Sequence, residues 1–396
     1  DGGARVEGLV LFLPRTAPGD VGEAEYALHG RLARGRLLSL ERPSADRVEP
    51  PCVHYVRDRC GGCQLQHLAL DAQRGAKARI VADAFARIGR RPVEPPVVQG
   101  AGAPWRYRRK LTLALRWVGG RWTAGLHPYD TAGRIFALED CPITDERVLA
   151  AWREILAAAA HLPRVPALRG AVRLLDDGVA FVLEGGRRWP AANRFFAAVP
   201  AVRALWWEPE GAPRRLVADR RGAATPGASF VQVNPAVAAA LEAHVVARVL
   251  AHVGDHASAT VVDAYAGAGD AAVALAARGA TVTAIELDAE AAAWAASRLP
   301  APSRAIAGRA EEALPGCLPA DVVLLNPPRA GVDARVTSAL VERPPRAVVY
   351  VSCNPATLAR DVARLPGFRV AALAAFDMFP QTAHVETVCE LVPEGA

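Results

Sequence analysis

No apolar run in this sequence of 396 residues approaches the ~18 residues that a membrane-spanning helix needs. The stretch "LVLFLP" near the start is too short, and too closely flanked by charge, for a secretory leader, so a buried strand is expected there. There is no internal repeat, which excludes solenoids and propellers, and no low-complexity linker. Lysine is scarce: nearly all the basic residues are arginine in an alanine-rich chain, so part of the Arg count reflects composition alone. The seven cysteines sit in no secretory context. A disulfide framework is therefore not expected, and metal or catalytic use of some thiols is. These absences together describe a cytoplasmic protein with no membrane partner and no obligate protein partner.

What is present is an ordinary globular composition, 52% hydrophobic and 22% charged, in a chain long enough for two or three domains. The formal charge of +6 is unevenly spread. Between Pro51 and Arg121 there are fourteen Arg/Lys against four Asp/Glu, and from Pro226 onward twelve against seventeen. One part of the molecule is thus suited to a polyanion and another is not.

Three regions separate. Residues 1–50 alternate short strand-like segments with Pro18–Gly19–Asp20 and Pro43, the pattern of a small all-β module closed by Pro50–Pro51. Residues 51–225 open with cysteines and run into a helix at about 68–98, which is free to pack on the region that follows. In that helix Ile80, Ala84, Phe85 and Ile88 are spaced for one apolar face and Gly89 supplies a stop. Later, "VRLLDDGVAFVLEGG" reads as a hairpin about Asp176–Asp177–Gly178. Residues 226–396 alternate apolar strands ("TVVDAYAG", "ATVTAIELD", "ADVVLLNPP", "RAVVYVSCNP") with Ala-rich helices, which implies a parallel sheet covered on both faces.

"VVDAYAGAGD" is a strand entering a small-residue turn, Gly267-x-Gly269, before a helix. Glycines there let backbone approach a ligand, and Glu286 at the end of the next strand is placed to accept ribose hydroxyls. Ala272 stands where a dinucleotide fingerprint wants a third glycine, which tilts the ligand from NAD toward S-adenosylmethionine. Asp270 suits a sulfonium better than a pyrophosphate, which it would repel. Asn326–Pro327–Pro328–Arg329 ends another strand on the same ligand-facing edge.

Cys353 in "VVYVSCNPATLARD" ends the next strand and so meets the same cleft. A thiolate beside a methyl donor points to one chemistry: addition to C6 of a pyrimidine makes C5 nucleophilic, and a base must later remove the C5 proton. A free thiol has a pKa of ~8.5, so Arg329 and the helix starting near Pro355 are candidates to raise the thiolate fraction. Glu386, with His384 nearby, is the candidate base, 33 residues beyond the thiol. Cys317 and Cys389 lie in apolar settings and read as packing residues.

Cys52, Cys60 and Cys63 form a tight group in "PPCVHYVRDRCGGCQLQH", and Cys141 in "LEDCPIT" is a fourth. Four thiolates fit zinc or an iron–sulfur cluster, and His54 and His67 leave a mixed Cys/His zinc site open. "WRYRRK" interleaves Trp105 with Arg106, Arg108, Arg109 and Lys110, suited to phosphates and an unpaired base, with a basic edge strand as the plain alternative. Arg329 joins this set as an RNA contact at the cleft.

"FVQVNP", "DAYAGAG", "NPPRAG", "VVYVSCNPATLARD" and "DMFPQTAHVETV", in this order and spacing, resemble the RNA uridine-5 methyltransferases across essentially the whole chain. The resemblance implies Cys353 as nucleophile and Glu386 as base. It places Gln232, Tyr265, Glu286 and Asn326 at the cofactor or target base, beside Gly267, Gly269 and Asp270 of the turn read above as cofactor-binding. It implies a Rossmann-like class I S-adenosylmethionine-dependent methyltransferase domain, an N-terminal OB-like barrel of the TRAM type and a central α+β domain. It further implies a [4Fe–4S] cluster on Cys52, Cys60, Cys63 and Cys141. Cluster and TRAM module together point to the 23S ribosomal RNA branch, with transfer RNA as the alternative. With no strand read ahead of "GLVLFLPRTAPGD", the barrel is expected to be incomplete. Asn326, Ala266 and Asp270 stand where the family usually has Asp, Cys and Asn; Asn326 implies lowered activity or an altered target, since Asn both donates and accepts. Two other readings are an exocyclic-amine methyltransferase, which needs no thiol, and an iron–sulfur RNA-binding protein that has lost catalysis.

Overall fold

The computed structural model describes residues 2–6, 8–30, 32–131, 133–222, 232–254 and 259–395. They fall into two compact units. One comprises Asp1–Gly75, Ala103–Arg220 and Phe379–Ala383, the other Ala76–Gly102, Arg221–Met378 and His384–Ala396. The boundary expected near residue 225 lies in 223–231, outside the described residues.

The first unit begins with strands Gly2–Val6, Leu9–Leu13, Val21–His29 and Leu32–Arg42, ordered first–second–fourth–third in one sheet. A strand does precede Leu9–Leu13, contrary to the sequence reading. Among the described residues the sheet has four strands, one short of the five of an OB barrel. Its core is small, with Leu11, Leu13 and Ala33 buried. The turn after the second strand is fastened by Asp20, whose carboxylate accepts from the Ala17 and Ser44 amides and from Arg47. Burial alone would raise this carboxyl, but Arg47 and the two amides outweigh it and hold it down to about 2.

The rest of that unit is a seven-stranded sheet running Arg215–Asp219, Val202–Glu208, Val179–Glu184, Ala167–Leu174, Lys110–Val118, Arg121–Leu126, Phe136–Ala137. The hairpin read at 176–178 joins two of these strands. Helices Glu146–Ala157 and Ala192–Ala198 cover one face, where Phe181 packs its ring between Trp152 and Phe195.

The second unit holds an eight-stranded sheet. Five strands are parallel in the order Arg304–Ala307, Thr281–Glu286, Thr260–Ala264, Val322–Leu325, Ala347–Ser352. Glu386–Pro393 then pairs antiparallel with Ala347–Ser352, followed by Phe368–Phe376 and Val98–Gln99. All four strands read from the sequence are present, and their apolar runs are buried on both faces.

The helical face expected from Ile80, Ala84, Phe85 and Ile88 is corrected in part. Helix Leu70–Ala84 continues as a π turn over Phe85–Gly89, which widens the spacing. Val81, Ala84 and Phe85 are buried, whereas Ile80 and Ile88 are exposed. Gly89 ends the turn, and a side chain there would press on the Ala359 carbonyl. The expectation about long apolar runs also needs amendment: helix Pro235–Val253 has the length and composition of a membrane span. Six of its residues are buried, and its Arg248 and His252 both bond the Glu390 carboxylate of strand Glu386–Pro393.

Lys77 and Asp377 form an ion pair that is almost wholly buried. Removing one partner of such a pair strands a charge in the interior. Lys77→Ala is expected to cost about 3–5 kcal/mol, and Lys77→Met with Asp377→Leu to recover most of that. Urea denaturation of the two variants measures both.

Candidate active site

Parallel strands end on one edge, so the turns after Ala264, Glu286, Leu325 and Ser352 share it. Tyr265 leaves its strand with φ +66°, a left-handed conformation uncommon for a bulky residue. Gly267 follows at φ +57°, and a Cβ there would meet nothing within 4 Å. Gly269 serves packing instead, since a Cβ there would collide with Ala295. The Glu286 carboxylate accepts from the Gly267 and Asp288 amides at 2.8 Å each, which ties the glycine turn to the neighbouring strand end. Gln232 has a buried side-chain oxygen with no hydrogen-bond partner among the described residues. Open space above Gly267, with the orphaned Gln232 oxygen and the Glu286 carboxylate as acceptors, fits the hydroxyls and amines of a nucleoside-bearing ligand.

Asp270, read from the sequence as a cofactor contact, also has a partner within the protein. Its carboxylate pairs with Arg298 at 2.8 Å, and Arg298 also donates to the Ala268 carbonyl. The acid therefore braces the turn. Asn326 is exposed, and its amide donates to the Ala264 carbonyl at 3.3 Å. One residue escaped the sequence reading altogether: Asp263, buried inside "VVDAYAG", with Oδ2 unpartnered among the described residues. Burial first, and then the Glu286 charge, push its carboxyl up to about 7. An acid inside an apolar strand was the available signal.

The thiol and the carboxylate meet through strand register. Ser352 is paired with Thr387, so Cys353 and Glu386 flank the last rung of an antiparallel ladder. Asn354 caps helix Pro355–Ala363 through its side-chain oxygen, leaving Cys353 just ahead of a helix N-terminus. Cys353 is half-buried; burial raises its thiol, the Glu386 charge raises it further, and Arg329 opposes both. Glu386 is 3% exposed, and burial alone pushes its carboxyl up to about 7. His384 is half-buried two residues ahead of it. Cys389 is fully buried, as a packing residue should be, whereas Cys317 is only partly so.

These elements also match known proteins. A family profile for tRNA (uracil-5-)-methyltransferases covers residues 317–392, the span that holds Asn326, Cys353 and Glu386. An RNA methyltransferase of Thermosynechococcus vestitus, itself described as uncharacterised, is 32% identical over 99% of this chain and 95% of its own. The chain belongs to the RNA uracil-5-methyltransferase family. The 23S rRNA (uracil(1939)-C(5))-methyltransferase RlmD of Pseudomonas entomophila is 32% identical over 97% of this chain and 89% of its own. The crystal structure of Pyrococcus abyssi tRNA (uracil-54, C5)-methyltransferase with S-adenosyl-L-homocysteine superposes with a TM-score of 0.69. It covers 99% of this chain and 97% of its own at 22% identity, and so shows the fold: an α/β S-adenosylmethionine-dependent methyltransferase. The protein is thus an enzyme of the RNA uracil-C5 methyltransferase class.

In the first unit of this family member, Cys52, Cys60 and Cys63 are buried, Cys141 is half-buried, and all four are free thiols. Burial pushes Cys60 up to about 11 and Cys63 up to about 12, and in each case two or three of the other thiols add to the rise. The four are therefore within electrostatic reach of one another. Both ring nitrogens of His54 are engaged, by Asp58 and the Glu139 amide, and both of His67, by Tyr55 and the Thr16 carbonyl. Among the described residues no three His, Cys, Asp or Glu side chains are grouped to hold a metal, which speaks for neither the mixed zinc site nor the cluster expected on the four cysteines.

The "WRYRRK" segment divides. Trp105 packs on the cysteine group, and Arg106 grips Asp140 with two bonds while a third reaches the Cys141 carbonyl. Arg108 donates to the Lys110 carbonyl. Arg109 and Lys110 are exposed. Although Lys110 is exposed overall, its ammonium is partly desolvated, and this, ahead of Arg173, Arg214, Arg169 and Arg108, makes it easier to discharge.

Glu386 has a native pKa above its unfolded value, so the folded state holds the proton more tightly and stability falls as pH rises from about 4.5 to about 7. The wild type is expected to lose up to about 3 kcal/mol across that window relative to Glu386→Gln. Urea midpoints of both proteins at about pH 5 and about pH 8 test the slope.

Proposed function

We propose that this enzyme methylates C5 of a uridine in RNA, using S-adenosylmethionine, through a covalent Cys353–C6 adduct. The register that sets Cys353 against Glu386 carries the reading, because the reaction needs a thiolate and a base at one base-sized position. Cys353 as thiolate adds to C6, and the ring electrons move to make C5 nucleophilic. C5 takes the methyl group as the carbon–sulfonium bond breaks, leaving S-adenosylhomocysteine. Glu386 then removes the C5 proton, the electrons re-form the C5–C6 double bond, and the thiolate of Cys353 departs. Coupling between the two groups orders these steps. The Glu386 charge opposes thiolate formation, so attack is favoured when the carboxyl is neutral. Addition moves that charge onto the ring and methyl transfer to C5 cancels it, after which Glu386 gives its own proton to solvent and takes the C5 proton as a carboxylate.

Gln232, Tyr265, Gly267 and Glu286 would hold the methyl donor, which supplies an electrophilic methyl group, and Asn326 would face the target base. Arg109, Lys110 and Arg329 offer cations to the RNA backbone. The target uridine must leave its stack to reach the thiol. With 5-fluorouridine at the target, the proton that Glu386 removes is replaced by fluorine, and a protein–RNA adduct at Cys353 is expected to accumulate. Cys353→Ala is expected to give neither adduct nor product, and methylation by that variant would refute the reading. Peptide mass spectrometry and denaturing gels read both.

We assign 23S ribosomal RNA as the target, with residues 1–50 as a TRAM-like module, 51–225 as a central domain and 226–396 as the catalytic domain. The whole-chain likeness to RlmD supports this target, and loss of 5-methyluridine from 23S RNA rather than transfer RNA in a deletion strain would test it. By the resemblance, Cys52, Cys60, Cys63 and Cys141 would hold a [4Fe–4S] cluster, and the packing of Cys52, Cys63 and Cys141 into one buried group supports that reading. Such a cluster supplies positive charge to four buried thiolates and so cross-links the segments that bear them. Anaerobically purified protein is expected to carry about four irons and four sulfides per chain. Cys63→Ser is expected to lose them, as measured by iron and sulfide analysis.

A further inference from the structure

Asp361 is an acid on helix Pro355–Ala363 with no solvent exposure, and the reaction above gives it no task. Its Oδ2 accepts from the Tyr350 hydroxyl at 2.8 Å and from the Val332 amide at 3.0 Å. Its Oδ1 takes Arg360 at 2.7 Å and Arg364 at 3.3 Å. One carboxylate thus joins three elements: strand Ala347–Ser352, which delivers Cys353, the helix that follows it, and the loop after Asn326. The same loop is held at three more points. Asn354 and Thr357 donate to the Arg329 carbonyl, and Arg360 donates to the Ala330 carbonyl at 2.8 Å. Gly331 makes the approach possible: it sits at φ +80°, and a Cβ there would collide with Asp361 Oδ2.

We propose that Asp361 is a positioning residue that locks the Asn326–Asp333 loop onto the helix after Cys353 and so holds Arg329 beside the thiol. The proposal rests on Cys353 being the nucleophile of the reaction above. Arg329 is the cation that opposes the rise of the Cys353 thiol, and its own side chain is exposed. Its place is therefore set by its backbone, and that backbone is fixed by bonds to the helix. Asn in place of Asp361 keeps the shape but removes the charge that Arg360 and Arg364 neutralise. Its amide nitrogen would also face either both donors that now bond Oδ2 or the two arginines that now bond Oδ1.

The test is alkylation of Cys353 by iodoacetamide across pH, followed on its own peptide by mass spectrometry, which needs neither RNA nor methyl donor. Asp361→Asn is expected to raise the midpoint by about half a pH unit, a threefold loss of rate below it. Tyr350→Phe is expected to move it less in the same direction. Arg329→Gln should give the full shift alone and nothing more when combined with Asp361→Asn. An unchanged midpoint in a cooperatively melting Asp361→Asn protein would overturn the proposal, as would additive shifts in the double variant. If Asp361→Asn does not fold, Tyr350→Phe and Thr357→Val decide by the same readout. If Cys353→Ala methylates while the shifts hold, the reaction reading fails and the positioning of the thiol stands.

Discussion

An antiparallel strand begins where its parallel neighbour ends, and the site depends on that constraint. Strand Glu386–Pro393 runs against Ala347–Ser352, so its first residue reaches the edge where the parallel strands deliver their turns. A sixth parallel strand would put Glu386 at the opposite edge, a strand length from Cys353. The parallel pairs on the other side, from Arg304–Ala307 to Val322–Leu325, carry no register shift. The glycine turn, Glu286 and Asn326 therefore stay level with one another. One reversed strand thus brings a buried carboxylate to the edge that already carries the glycine turn and the thiol.

Much of this was legible because it is local. Apolar runs ending in "DAYAGAG", "IELD", "NPP" and "SCNP" announce strands, turns and an edge, and chemistry then selects Cys353 and Glu386. What was not legible depends on partners distant in sequence. Nothing in "GAGD" tells that Asp270 will be taken by Arg298, and nothing in "WRYRRK" tells that Arg106 will be spent on Asp140. Ile88 was misread because the spacing rule assumes 3.6 residues per turn, which the π turn at Phe85–Gly89 breaks, whereas Ile80 lies ahead of that turn and its exposure has no such cause. The first sheet was anticipated as β structure, but strand count and order follow from pairings between residues far apart in sequence.

The buried acids show how the fold and the site divide one kind of residue between two tasks. Asp20, Asp361, Asp377 and Glu390 each meet a cation in the interior: Arg47, Arg360 with Arg364, Lys77, and Arg248 with His252. A carboxylate paired in this way fastens the backbone around it, at a turn, a loop or a helix face. Glu386 and Asp263 lie in the same unit with no cation among the causes of their shifts, and both are pushed up to about 7. An acid so placed gains or loses its proton near neutrality, at little cost, when a neighbouring charge changes. For Glu386 that neighbour is Cys353, whose thiol is raised by the Glu386 charge. For Asp263 it is Glu286, at the end of the next strand, whose field a cation bound at the strand edge would offset. The withholding of a counter-ion, as much as the provision of a carboxylate, is what makes these two positions responsive.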